Sequence, residues 1–225
     1  MPWDVTTDPV HFEEAIKWFR KKNVLSEKQF AKLTKDEKKR AFKVAGVGSL
    51  SVVSQVWADI DRAIAKGESL QEFKKAASDK LRAAWGGSVA NPGDRIETIF
   101  RTNLQSAYSS GRYEQTTDPD ILEAFPYWQF DAILDDRTSE ICEPLDGTIQ
   151  PANNEWWQSH MPPLHHRCRS THIALTAEQA GQPTRPPKVV VAEGFGSPPK
   201  PNDWTPTASD YPKELWNVYK EKSKP

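Results

Sequence analysis

Apolar and polar positions along the chain follow two periods, and the change between them falls near residue 126. Before it the spacing is helical. Asp8-Pro9 predicts an N-cap followed by a proline at the first helical position, after which Phe12, Ala15, Ile16 and Phe19 recur three or four residues apart. Ser26 with Gln29 and Thr34 with Glu37 read as capping boxes for two further short helical segments, the second ending at Gly46. Phe42, Val44 and Ala45 would form their inner face. Val53, Val56, Trp57, Ile60 and Ile64 mark one side of a longer helix from Leu50 to Lys66, stopped by Gly67. Ser69 and Glu72 then open a partner helix with Leu70, Phe73, Ala77 and Leu81 facing inward, closed by Gly86-Gly87. After the break at Asn91-Pro92-Gly93, Asp94 begins a long helix to about Thr116 along Ile96, Ile99, Leu104, Ala107 and Tyr108, with Gly111 leaving room for a close neighbour.

From Pro126 the period drops to two. Trp128, Phe130, Ala132 and Leu134 alternate with Tyr127, Gln129 and Asp131, which predicts a strand to Leu134. The Leu145-Asp146-Gly147 turn leads to a second strand over Thr148 to Gln150, and Thr171 to Thr176 return as a third. The expected class is α+β: a helical N-terminal part, then a helix packed on a small antiparallel sheet, then an extended proline-rich arm. The expected divisions are 1–88, 89–180 and 181–225. Half of the 18 prolines fall in the last of these, which cannot bury a core of its own. Val189-Val190-Val191 could add to a sheet edge in this subunit or another. Gly194-Phe195-Gly196 and the aromatics Trp204, Tyr211, Trp216 and Tyr219 would anchor the arm, and Asp210-Tyr211-Pro212 could start a last short helix.

Charge narrows the choice of partners. Thirty Lys and Arg against 31 Asp and Glu give a net charge of −1, so there is no global basic field and any nucleic-acid contact must be local. No apolar run approaches the 18 or so residues of a membrane span, and the first residues lack a leader pattern, which predicts assembly in a bacterial cytoplasm with no membrane partner. Nine tryptophans, several outside periodic segments, point to contact surfaces. The chain has no phosphate loop, no G-x-S-x-G elbow and no H-E-x-x-H helix.

Candidate chemistry gathers between Asp135 and His172. Both cysteines and four of the five histidines lie there. Cys142 follows an acidic turn, and His165 and Cys168 form an H-x-x-C unit after Pro162-Pro163. Thiolates and an imidazole from two short segments are what a tetrahedral zinc site uses, with Asp135, His160, His166 or water as candidates for the fourth position. Two other readings stand beside zinc: small buried thiols with histidines bonded to loop backbone, or a Cys142–Cys168 disulfide. Arg101 and Arg112 of the long helix could pair with carboxylates of the Asp135 loop. A Cys/His nucleophile, or a metal-dependent hydrolase or transferase site using Asp135, Asp136 and His165, is the enzymatic alternative.

The order D-x-R-T-x3-C-x2-L-D-G, then P-P-x-H-x2-C-R, is carried by Asp135, Arg137, Thr138, Cys142, Leu145, Asp146, Gly147, Pro162, Pro163, His165, Cys168 and Arg169. It resembles the head morphogenesis domain of the phage Mu F-like minor head proteins. Arg101 to Tyr113, the P-Y-W-Q-F at Pro126, F-E-E-A-I-K-W-F, A-F-K-V-A-G and E-G-F-G-S-P-P are similar as well. Ser170 departs from the C-R-C that many of these proteins carry. The resemblance implies a non-enzymatic minor capsid protein of a tailed phage, acting in head assembly near the portal vertex. Its implied partners are portal protein, other head proteins and packaged double-stranded DNA, and its implied location is the virion head.

Overall fold

A computed structural model describes residues 12–33, 38, 41–199, 216, 217 and 220. Asp8-Pro9 and the Thr34–Glu37 cap lie outside these residues. The first core is built from α1 (Glu13–Arg20), α3 (Leu50–Lys66), α4 (Leu70–Trp85) and the front of α5 (Pro92–Thr116). Phe19, Val53, Val56, Ile60, Phe73, Leu81 and Ile96 are buried in it, and Phe19 stacks on Trp57 with ring centroids 5.7 Å apart. Each such side chain contributes roughly 1.5–3 kcal/mol by leaving water. The helix ends follow their residues. Ser69 and Glu72 bond reciprocally at the start of α4, and Gly67 (φ 66) and Gly86 (φ 54) close α3 and α4 in the left-handed conformation. Asp59, almost buried, receives Arg62 at 3.1 Å and Lys80 at 2.8 Å and so ties α3 to α4. At Gly111 a Cβ would lie 2.7 Å from the Ala15 backbone nitrogen, so the absent side chain is what lets α1 cross α5.

One segment differs from the helical expectation. Ala41–Phe42 is a short strand, β2, paired in parallel with β1 (Asn23–Val24), and Ser26 caps the short helix α2 (Glu27–Ala31) between them. Phe42 and Val44 are buried and Ala45 is half-buried. Burial at every second position is the strand period, and it outweighs the helical reading taken from the cap upstream.

α5 serves two cores. Ile96, Phe100 and Ala107 belong to the helical one, while Tyr113 meets Trp128 edge-on at 5.8 Å in the second. The chain then passes α6 (Pro119–Ala124) to a three-stranded antiparallel sheet in the order β4 (Ile149–Pro151), β3 (Tyr127–Asp131), β5 (Thr171–Leu175). β3 is central, with Trp128 and Phe130 buried as the alternation requires. It stops short of the expected Leu134. The Ala132 N–H turns to Asp146 Oδ1 at 2.8 Å, and Ile133 and Leu134 stand 51% and 59% exposed. The short helix α7 (Trp157–His160) sets Trp157 against Trp128, centroids 5.6 Å apart, beneath the sheet. The Pro162-Pro163 peptide is cis.

After α8 (Ala177–Ala180) the chain runs extended along its own sheet domain. Val189–Val191 form no strand in this subunit, where the sequence reading allowed them to add to a sheet edge of this subunit or another. Val190 is 88% exposed, while Val189 and Val191 pack on the second core. It is Thr184 that covers the outer edge of β4, bonding both the N–H and the carbonyl of Ile149. Farther on, the Ala192 N–H donates to Leu164 O, and Gly196 exchanges bonds with Pro163 O and the Met161 N–H. The covered edge is thereby protected from pairing with another chain. Among the arm aromatics, Trp216 lies beneath Lys220 Nζ at 5.9 Å; Trp204, Tyr211, Tyr219 and the expected helix start at Asp210 fall outside the described residues.

Candidate functional site

Two loops meet at one end of the sheet. In the first, Asp135 Oδ1 accepts the Arg137 N–H at 2.9 Å, and Thr138 Oγ1 accepts the Asp135 N–H and donates to Ile133 O, an Asx-type turn closed by a threonine. Ser139 then caps the next turn. Its carbonyl and hydroxyl both receive the Cys142 N–H, at 3.0 and 3.1 Å, which presents Cys142 at the head of the short 3-10 turn Glu143–Leu145. Buried Leu145 pins that turn to the core.

The second loop depends on Arg167, which is left-handed at φ 60 without being glycine. A side chain there costs about 1–2 kcal/mol. The Arg167 N–H donates to Thr102 Oγ1 at 3.1 Å, and the guanidinium donates to Thr98 Oγ1 at 2.8 Å and Asp94 O at 2.6 Å, all on α5. Charge-assisted bonds of this kind outweigh the strain. The reversal at Arg167 carries Cys168 back beneath His165, with the Cys168 N–H on the His165 carbonyl.

Cys142 Sγ and Cys168 Sγ are 3.7 Å apart, and His165 Nε2 is 3.3 Å from Cys142 Sγ and 2.8 Å from Ser139 Oγ. The three ligand atoms all lie within 4.8 Å of one another. Both sulfurs are buried free cysteines. His165 Nδ1 is 2.7 Å from the His166 carbonyl. A carbonyl only accepts, so Nδ1 carries the proton and Nε2 is left unprotonated. The pair holds its protons unequally. Cys168 is shifted down by its hydrogen bond from Cys142, helped by His165 and by the backbone N–H groups of Leu164 and Ser170, whereas the neighbouring sulfur and burial push Cys142 far up. The Cys168 sulfur raises His165 against the opposing effect of burial.

The remaining candidates disperse. Asp135 is held by Arg169, whose guanidinium spans both carboxylate oxygens and keeps the acid well below its usual range, with the Arg137 N–H adding to the effect. Arg137 itself reaches Asp135 only loosely, at 3.5 Å. Arg101 and Arg112 do not pair with this loop. Arg101 bonds Glu97 one turn back at 2.7 Å, and Arg112 donates to the His172 carbonyl at 2.6 Å, because α5 runs along the sheet face and presents them there. His160 stacks on Trp156 at 4.6 Å and His166 meets Phe195 edge-on, so neither joins the three. His172 is a core residue, 1% exposed between Trp128 and Trp157, with Nε2 2.8 Å from Thr116 Oγ1. Arg167 and Ser139 escaped the sequence reading. A serine three residues before Cys142 was the available sign of a cap, and nothing local marks Arg167.

A cavity of about 20 Å³ adjoins the group, lined in part by Ser139, Ser170 and Arg167. That is room for a water, not for an organic substrate. Among the described residues no helix is long and apolar enough to cross a membrane.

Comparison with known proteins places the chain first in a class, the phage Mu F-like proteins. A family model described as Phage Mu protein F like protein matches residues 54–173, more than half of the chain, taking in most of α3 and all three residues of the cluster. The chain belongs to this family. It is 27% identical over 179 residues to the "Putative capsid assembly protein F" of Escherichia phage Mu, covering 73% of this chain and 40% of that protein. It is 31% identical over 147 residues to the Mu-like prophage FluMu F protein of Haemophilus influenzae (strain ATCC 51907 / DSM 11121 / KW20 / Rd), covering 61% of this chain and 35% of that protein. The chain thus spans well under half the length of either. No solved structure matches.

Proposed function

We propose that the protein is a minor component of a phage head that acts structurally during head assembly, near the portal vertex, by binding portal protein and other head proteins. The observation that carries this reading is the F-like family match over residues 54–173, together with the capsid assembly name of the phage Mu relative. The architecture is compatible with such work. Two cores share one long helix, and residues 184–196 are strapped across the sheet domain, so partners meet a preorganised body there. The Cys/His group serves as an internal fastener in this role and needs no substrate.

Contact with packaged DNA is the secondary partner in this reading. With a net charge of −1 it would be confined to local basic side chains and would weaken steeply with salt. The test is to tag the full-length gene product in its own phage and image purified heads by electron microscopy. The tag is expected at a single vertex in few copies, and the product is expected to co-purify with portal protein. A tag absent from heads, or spread evenly over the shell, contradicts the proposal.

A further inference from the structure

We propose that Cys142, His165 and Cys168 bind a zinc ion, with a water molecule as fourth ligand in the small cavity beside Ser139 and Ser170. Zinc bonded at about 2.3 Å to sulfur and about 2.0 Å to imidazole nitrogen in a tetrahedron separates two sulfurs by about 3.8 Å and sulfur from nitrogen by about 3.5 Å. The corresponding distances here are 3.7 Å and 3.3 Å. A sulfur pair alone would not decide, because two thiols in contact rest at a similar separation. The imidazole decides: its Nδ1–H is spent on the His166 carbonyl, which fixes the ring and leaves Nε2 unprotonated, 3.3 Å from Cys142 Sγ and 2.8 Å from Ser139 Oγ, the outer-shell arrangement of a metal-bound histidine.

Two further features suit a cation. The neighbouring guanidiniums are neutralised, Arg167 by Asp94 and Arg169 by Asp135, so two thiolates and the metal make a locally balanced group. The cavity of about 20 Å³ exceeds the ~10–15 Å³ that one water needs. A disulfide needs the sulfurs at about 2.05 Å, much closer than they stand. The site joins two loops about 25 residues apart in sequence, so the ion would act as a structural fastener. This inference goes beyond the head-assembly reading and does not depend on it, since ligand geometry is the same wherever the protein works.

The experiment uses the full chain purified under reducing conditions. Plasma mass spectrometry is expected to find one zinc per chain, and cobalt(II) in its place is expected to give the thiolate charge-transfer band and visible absorption of a tetrahedral site. His165→Ala is expected to weaken cobalt binding by more than the roughly 10- to 100-fold that goes with losing an outer-shell partner. Cys168→Ser should cut the charge-transfer band to half or less, although that variant can also fail by unfolding. Ser170→Cys guards against this, because it adds a thiolate at the cavity that Ser170 lines and should strengthen the band in proportion. A reduced, folded chain that takes up neither zinc nor cobalt overturns the proposal. So does a chain that is purified as a Cys142–Cys168 disulfide and, once reduced, still ignores both metals.

Discussion

The helical core and the sheet domain are held together by different means. The first buries a large continuous set of side chains from four helices, and its polar links, such as Asp59 with Arg62 and Lys80, are additions to that area. The second rests on three strands of three to five residues and a core of eight buried side chains. A sheet that small is marginal from burial alone. Its loops are fixed instead by specific links: Arg167 onto α5, Arg169 onto Asp135, Arg112 onto the His172 carbonyl, and the Cys/His group. One region tolerates a lost bond and suffers from a lost side chain. In the other the cost of a lost bond is set by how many loops it joins.

The largest effect is expected where area is lost. Phe73→Ala removes a ring with no exposed surface and should cost about 3–5 kcal/mol in urea denaturation. A cost below that of the loop variants would break the comparison. Next is acid. Burial, with the Arg112 charge adding to it, lowers His172 from its usual value to about 3. The folded protein keeps the ring neutral while the unfolded chain protonates near 6.5, so the stabilisation is complete above that value and is lost as pH falls from 6.5 toward 3. At about 1.4 kcal/mol per unit this is on the order of a few kcal/mol. Tryptophan fluorescence from Trp128 and Trp157 should report it, and His172→Phe should flatten that part of the pH profile. Arg167→Ala should cost about 2 kcal/mol through the lost charge-assisted bonds, because alanine keeps the Cβ strain at φ 60. The smallest effect is expected for Asp135→Asn, an exposed pair whose loss should speed amide exchange in residues 133–138 and leave the melting temperature nearly unchanged.

Caps and faces were legible because their signals are local. Ser69 with Glu72, Gly67, Gly86 and the Trp128/Phe130 alternation each state their conformation within a few residues. The meeting of Cys142 with His165 and Cys168 was legible too, since few other residues of the chain have that chemistry. What failed was decided at long range. Arg112 has no local mark distinguishing a carbonyl 60 residues away from a carboxylate, and β3 ends because Asp146 competes for the Ala132 N–H. Val189 to Val191 are rich in strand formers, but Thr184 already covers the available edge.

The central claim is that two distant loops are fastened through Cys142, His165 and Cys168, and hydrogen exchange on Cys142→Ser tests it most directly. The account predicts that amides of residues 135–147 and 161–170, and of β3 and β5 beside them, lose protection while α3 and α4 keep theirs. Protection unchanged in those loops, or lost equally in α3 and α4, would contradict it.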